Sequence, residues 1–580
     1  MKNMIIAVLL LALMATGCKK IGNDFLEKPP SVDVTKDTIF SNVVYAKRFL
    51  TGAYATLHYG WIYDFSPKGF GMDADILESL TDIGQTYRTD GAAYRIYYSG
   101  QYSAATENNP TNTKYSFLAE DSWVGIRKAY IFMENIDRVP DASALEKKTL
   151  KAEAKMIVAM HYCDMYRHFG GLPWIDHAIG VNERSDYPRL TSLATLNAIV
   201  KLIDEATPDL PWTITDLSNE DGRFTQASAL GLKSRILLFG ASPLFNNATP
   251  YLDGEASQKQ LTWHGNYDAN LWKRAADAAA ELIQKVETQP GYRVIKTGNP
   301  RQDFQDSYYK RGNGEILIST RIRYKNEGDY DYLGMFILRI HGIGCPTQEY
   351  VNMFSTAAGV PISDPASGYS AANPYKNRDP RLYETVLVND DSYAGRTAQL
   401  WVGGIERLSL GQQQAATGYG VRKFLLDNVS AYGAVIQFPY LRLTEIYLSY
   451  AEAANELNNG PTTEAYRCVN LVRNRVGLRD LPAGLSKSDF REAILTERAC
   501  EFGYEEVRWF DLIRWKRASD FTKTLHGLNT FKNPDNTFRY ELFELPPRAW
   551  QKTFSPKWYL SALPPNEVNK GYGLIQNPGW

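Results

Sequence analysis

Leu441-Arg-Leu-Thr-Glu-Ile-Tyr-Leu-Ser-Tyr-Ala-Glu-Ala-Ala-Asn-Glu-Leu457 reads as a helix that closes at Asn459-Gly460. Thr462 to Val476 reads as the next one and closes at Gly477, and Asp489 to Trp515 as a third. Glycine ends helices because it adopts the left-handed conformation at no steric cost. Helices of similar length joined by short glycine-containing turns fold back on each other as antiparallel hairpins.

The same logic extends outward. Ser143 and Glu146 form a capping-box pattern ahead of Leu150 to Phe169, and Gly170-Gly171 ends that helix. Ala152, Ala154 and Ala159 keep one side of it thin enough for close helix packing. Gln226 to about Gly240 stops at Ser242-Pro243, and Asn270 to Val286 stops before Pro290-Gly291. Between 300 and 435, and again from 517 to 580, Gly, Asn, Asp and Pro recur every few residues, with short β-type runs such as Ile316 to Tyr324. The expected fold is mainly α. It is a tetratricopeptide-like scaffold of helix pairs over about 41–290 and 436–516, carrying a loop-rich lobe with small strands over about 300–435 and 517–580.

The amino end has a different character. Lys2, the apolar run Met4 to Met14, and then Ala15-Thr-Gly-Cys18 have the layout of a signal peptide ending in small residues before a cysteine. The run is too short to span a bilayer. Residues 1–17 are expected to be removed, and Cys18 to be lipidated, with 18–40 as a polar tether. Ala15 stands where a lipobox more commonly has Leu. No later run has the length of a transmembrane helix, so membrane contact is expected through the anchor only.

The chain has 580 residues, a formal net charge of −1 and no long charge block. Nucleic-acid binding is not expected, because phosphates demand a basic surface. Cys163, Cys345, Cys468 and Cys500 fit no zinc or haem spacing and read as buried small hydrophobes, with at most one disulfide. The unusual counts are 37 Tyr and 12 Trp. Their flat apolar faces and polar edges suit amphipathic ligands such as sugars.

Several strings, in order, make the chain resemble the SusD/RagB family of surface lipoproteins of Bacteroidota. They are Trp123 to Ile136, Ala152-Glu-Ala-Lys through Tyr166-Arg-His-Phe-Gly-Gly-Leu-Pro173, Arg223 to Phe239, Asn377-Arg-Asp-Pro-Arg-Leu382, Thr417 to Phe424, and Arg442 to Ala453. Glu497-Arg-Ala-Cys-Glu-Phe-Gly-Tyr-Glu-Glu-Val-Arg-Trp-Phe-Asp-Leu512 is the strongest match, and Leu563-Pro-Pro-Asn-Glu and Gln576-Asn-Pro-Gly-Trp580 close the series. The resemblance covers nearly the whole chain. It implies a non-catalytic, cell-surface protein that captures a polymer fragment, usually a glycan. It also implies a partner, a SusC-like TonB-dependent β-barrel transporter of the outer membrane, on which the protein sits as a lid.

No H-E-x-x-H, G-x-S-x-G or phosphate loop is present, and Gly69-Phe-Gly71 is only a fragment of a glycine motif. No catalytic residue and no cofactor are expected. His161, Asp164 and His168 share a helix face but read as scaffold contacts rather than metal ligands. Asp73, Asp75 and Glu78 lack the frame of a calcium loop and read as a solvated helix face. Glu497, Arg498, Glu501, Arg508 and Asp511 read as ion pairs of the scaffold.

Sugar recognition combines aromatic faces with planar donors and acceptors. Two segments hold both: Asp82 to Tyr102, and Arg321 to Tyr332. The candidate ligand-binding residues are Asp82, Tyr87, Arg88, Tyr94 and Tyr98 in the first, and Arg323, Tyr324, Tyr330 and Tyr332 in the second. The resemblance places glycan contacts in loops at about these positions. Trp61, Trp263 and Trp401 are further loop aromatics. The rival readings are a peptide-binding lid of the same kind, a surface glycosidase, and a purely structural partner of the barrel.

Overall fold

A computed structural model describes residues 35–57, 75–89, 91–107, 113–118, 121–180, 182–184, 186–321, 341–427 and 437–580. The scaffold is a stack of helices. α1 (Val43–Tyr54) packs on α2 (Ser122–Asn135), α2 on α3 (Ala144–Phe169), α3 on α4 (Ser192–Ala206), and α4 on α5 (Gln226–Ala241). α6 (Ala269–Thr288) packs on α5 and on α10 (Leu443–Leu457), which meets α11 (Thr463–Arg475) and α12 (Lys487–Phe502). Each helix therefore touches mainly its neighbours in order, as helix-pair repeats do. The lobe adds α7 (Pro300–Tyr309), α8 (Gln348–Met353) and α9 (Pro380–Thr385). The short helix α13 (Arg508–Arg514) follows α12.

Local sequence explains the helix ends. Ser143 accepts the Glu146 N–H at 3.1 Å, Thr191 that of Ala194, and Thr462 that of Ala465, so orphan donors of the first turn are satisfied. Gly170 closes α3 with φ +81°. α3 is buried almost all round from Leu150 to Phe169, which places it at the centre of the stack. α6 is amphipathic, with Leu271, Trp272, Ala275, Ala279 and Leu282 turned inward.

Two readings of the helices need correction. The helix expected from Leu441 starts at Leu443, because Gln437–Arg442 is a strand paired antiparallel with Ile316–Arg321. The helix expected over Asp489–Trp515 is broken after Phe502. Tyr504 and Glu506 take left-handed φ values of +66° and +57°, and α13 starts afterwards. Gly503 permits the break. A Cβ there would lie 1.8 Å from the Tyr350 hydroxyl, which donates to the Ala499 carbonyl at 3.1 Å.

The scaffold and the lobe have separate apolar clusters. The lobe cluster gathers Ile83, Phe304, Tyr308, Ile343, Tyr350, Phe354, Tyr419 and Phe424 around Ala499, Cys500 and Tyr504 of the scaffold side. All four cysteines are free and buried, as expected of small hydrophobes.

Between the clusters lies a buried network of ions. The Arg442 guanidinium donates to Glu505 at 2.9 and 2.8 Å, to Glu501 at 2.9 Å and to Glu315 at 3.0 Å. Arg475 bonds Glu315 and Glu501. Arg381 reaches Asp379, Glu497 and Glu501, Arg473 reaches Glu497, and Lys423 reaches Glu505. Each of these cations is matched by a carboxylate, so the charge is balanced inside the buried interior. The three guanidinium groups around Glu501 hold its carboxyl well below the usual range despite burial. Burial pushes the Lys423 ammonium down to about 8, against the pull of Glu505.

Breaking such a network from one side leaves buried charge uncompensated. Arg442→Ala is expected to cost about 3–5 kcal/mol, read as a large fall in the urea midpoint or failure to fold. Arg184→Ala, which removes an exposed pair with Asp186, is expected to leave the midpoint unchanged. Equal midpoints for the two variants would refute the role given to the network.

Candidate functional site

The first candidate segment folds against residues 341–346, which follow the second candidate segment in the sequence. Gly84–Gln85 pairs antiparallel with Cys345–Pro346. The pairing continues through the Tyr87 N–H, which donates to the Gly342 carbonyl at 2.7 Å. Gly342 has φ +65°, and a Cβ there would crowd the Gln413 carbonyl and Tyr87. The Gln413 amide donates to the Tyr87 carbonyl at 3.2 Å. Three chain segments, around 84–88, 341–346 and 405–413, thus meet at Tyr87.

Beyond Tyr87 the chain turns into a single π-helical segment, Ala93–Tyr98. Such segments are rare and are found disproportionately at functional sites. Its two faces differ. Tyr97 and Tyr98 are buried, while Tyr94 is 44 % exposed and Arg95 lies open beside it. The Tyr97 hydroxyl donates to Glu107 at 2.9 Å and accepts the Lys114 N–H at 3.0 Å. The Lys114 ammonium pairs with Glu107 at 2.9 Å, bonds Tyr102, and lies over the rings of Tyr97, Tyr102 and Trp509. Burial raises the Glu107 carboxyl to about 8 and depresses Lys114 well below the usual ammonium range. This ring of contacts fixes the inner face and presents the outer one.

The candidate residues fare differently. Asp82 is fully buried, and takes Arg508 at 2.9 and 2.8 Å and Lys523 at 2.9 Å. Those cations hold its carboxyl well below the usual range although burial opposes them. Tyr98 is buried under Arg548, accepts the Thr86 N–H at 3.1 Å and donates to the Ser79 carbonyl. Asp82 and Tyr98 therefore leave the set that can meet a ligand, because their polar atoms are already used inside the fold. Tyr87 and Arg88 are half-buried and Tyr94 is exposed. Arg323, Tyr324, Tyr330 and Tyr332 lie outside the described residues, as do Cys18, Trp61, Asp73 and Gly69-Phe-Gly71. Trp263 donates to the Ser257 carbonyl at 2.8 Å, and Trp401 packs on Phe538 under Lys532.

Other readings change as well. Asp75 and Glu78 are buried, not a solvated face. Asp75 accepts from the Ser79 hydroxyl at 2.6 Å and from the Ala93 N–H at 3.3 Å, which ties it to the π-helical segment. Burial raises it to about 6. Glu78 accepts the Glu506 N–H at 2.6 Å, and burial, with Glu506 adding to it, raises it to about 8. His161 meets Thr56 at 3.0 Å, Asp164 binds Arg167 and Tyr440, and His168 stacks on Tyr115. Among the described residues no group of three metal-type ligands forms. Of the expected charge cluster, Arg498 pairs with Asp511 at 2.8 Å, and the others pair outward into the buried network or with Asp82. Much of the tyrosine excess is core: Tyr162, Tyr166, Tyr308, Tyr350, Tyr419 and Tyr504 are all buried.

Residues not singled out from sequence also belong here. Ile405, Leu408 and Leu410 are exposed apolar side chains on the loop that leads to Gln413. The signal was present in Leu408-Ser-Leu-Gly-Gln-Gln-Gln414, where apolar residues sit in a glycine-rich loop rather than a helix. Arg407 on the same loop is buried. Its Nη1 and the Tyr87 hydroxyl are enclosed without a hydrogen-bond partner among the described residues.

The comparisons with known proteins agree on the family. The SusD family model matches residues 276–580. The chain belongs to the SusD family. SusD-like protein P25 of Formosa agariphila is 34 % identical over 560 residues, 95 % of this chain and 96 % of that one. A SusD-like protein of Bacteroides fragilis superposes with a TM-score of 0.74 at 22 % identity, covering 95 % of this chain and 100 % of its own. A laminarin-binding SusD-like protein superposes with a TM-score of 0.58 at 19 % identity, covering 93 % of this chain and 100 % of its own. The SusD-like helical scaffold expected from the sequence is the one observed.

Glu78 gives a pH test of the site's underside. An acid whose folded pKa is raised binds more protons folded than unfolded between about 4.5 and 8. Stability then falls as pH rises through that window. Glu78→Gln keeps the acceptor for Glu506 and removes the titration. Urea midpoints taken from pH 5 to pH 8 should fall more steeply in the wild type, with a gap growing to the order of a few kcal/mol. Parallel curves would show that Glu78 is not held protonated.

Proposed function

We propose that this SusD-family chain is a cell-surface binding protein for oligo- or polysaccharide, and that the ligand lies on the loops meeting at Tyr87. The supporting observation is the π-helical segment that follows this junction in the chain: Tyr97 and Tyr98 are locked inward, and Tyr94 is exposed on the outer face. An exposed aromatic face suits a sugar ring, whose C–H patches stack on it, and planar donors suit the ring's hydroxyls. Ile405, Leu408 and Leu410 add exposed apolar surface on the loop that leads to Gln413. Arg323, Tyr324, Tyr330 and Tyr332 complete the proposed set by their composition. A laminarin-binding relative of the same fold supports the choice of ligand class.

The role is capture and delivery. No catalytic step is part of this proposal. Family membership supports a SusC-like β-barrel transporter as the partner, with the protein as its extracellular lid. Cys18 is proposed as the lipid attachment, holding the protein to the outer face of the outer membrane. No helix among the described residues is long and apolar enough to cross a membrane.

Calorimetry of the chain from residue 19 against a polysaccharide panel that includes laminarin is the test. One glycan is expected to bind, and Tyr94→Ala or the pair Tyr324→Ala/Tyr330→Ala to weaken it about tenfold, roughly 1.4 kcal/mol, with unchanged melting. Tyr98→Phe should lower the melting temperature and leave affinity intact. Binding of a peptide pool but of no glycan would move the assignment to peptide capture. Undiminished affinity in the loop variants would place the site elsewhere.

A further inference from the structure

The face at which the described chain begins has a composition of its own. α1 and the start of α3 lie side by side there. The Val43 N–H donates to Asp141 at 2.8 Å, and Lys47 pairs with Glu146 at 2.7 Å. Between them three apolar side chains stand in solvent: Val44 at 53 %, Tyr45 at 43 % and Leu145 at 73 % exposure, with Arg48 over the Tyr45 ring. The carboxylates of this face are engaged: Asp37 by Arg138, Asp137 by Lys151, Glu146 by Lys47, and Asp141 by the backbone. No described carboxylate pairs with Lys36, Arg48, Lys147 or Lys148, so the face carries surplus positive charge on a chain whose net charge is −1.

We infer that this face lies against the anionic lipid surface to which the chain is anchored, with Leu145, Val44 and Tyr45 entering the headgroup layer. The inference rests on the proposed lipidation of Cys18. Three observations carry it. The chain enters the body here: seventeen residue steps separate Cys18 from Thr35, a reach of at most about 60 Å, which lets the anchor bring this face to the membrane. The charge is of the sign that anionic headgroups attract, and an amphipathic tyrosine beside flexible cations suits the interface. The apolar side chains stand among lysines, an arrangement that a headgroup interface accepts.

The test uses the mature chain acylated at Cys18, in vesicles of phosphatidylethanolamine and phosphatidylglycerol with no barrel present. The four remaining cysteines are buried, so Leu145→Cys and Leu542→Cys each accept one environment-sensitive fluorophore. Leu542 is an exposed control on the hairpin of His526–Lys532 and Phe538–Glu544. Nitroxide-labelled headgroups are expected to quench the Leu145 label at least threefold more than the Leu542 label, and Lys147→Glu/Lys148→Glu to remove most of the difference. Equal quenching of the two labels on retained protein overturns the inference, leaving this face to solvent or to a protein partner. A chain whose intact mass shows no acyl group overturns the anchor and the inference with it, while leaving glycan binding by the loops untouched.

Discussion

Glu501 is the point on which the rest of the molecule turns. It sits fully buried on α12 and is held by Arg442, Arg475 and Arg381. Those residues come from the end of a strand, the end of α11 and the start of α9. Glu315 and Glu505 close the same set from a lobe loop and from the turn after α12. A network of this kind adds little net stability over an apolar core of the same volume. What it does is specify: a guanidinium has a fixed planar fork, and only one relative placement of its partners satisfies all of its donors. The separate apolar clusters of scaffold and lobe have no such directionality. The ions therefore set how the lobe is seated.

That seating reaches the loops by a second, smaller relay. Asp82 is tied to Arg508 on α13 and to Lys523, so the start of the candidate loop is fastened to the scaffold immediately after the helix break at Gly503. From Asp82 the chain pairs with 345–346, passes Tyr87 and enters the π-helical segment. Asp75, bonded to the Ala93 N–H, and Arg548, over the Tyr98 ring, hold that segment. A binding surface made of loops gains affinity when its loops are ordered before the ligand arrives. The buried polar residues beneath Tyr94 and Arg95 supply that order, which accounts for their number in so small a region.

The scaffold was largely legible in the sequence, because its signals are local. Ser143 and Gly170 mark α3, Thr462 and Gly477 mark α11, and the boundaries follow. What escaped was long-range. Nothing near Asp82 announces a partner at Arg508, so a carboxylate in a Tyr-rich loop reads as ligand-facing when it is structural. Asp75 and Glu78 look like a solvated acidic face for the same reason. Tyr98 looks like a stacking platform, since a tyrosine whose hydroxyl is bonded inside the fold has the same sequence signature as one that is free. The helix break after Phe502 depends on left-handed residues, Tyr504 and Glu506, which propensity does not foresee. Leu441 and Arg442, the last two residues of the strand Gln437–Arg442, read as the start of α10 because Leu441 fits the apolar pattern of the helix that follows.

The central claim is that ligand is held by the loops converging on Tyr87 while the scaffold stays unchanged. Hydrogen–deuterium exchange on the chain from residue 19, with and without the glycan it binds, tests this directly. The account predicts slowed exchange in peptides covering 84–98, 341–346 and 405–413, with none in α4 or α6. Slowed exchange confined to scaffold helices, with the three loop segments unaffected, would contradict it.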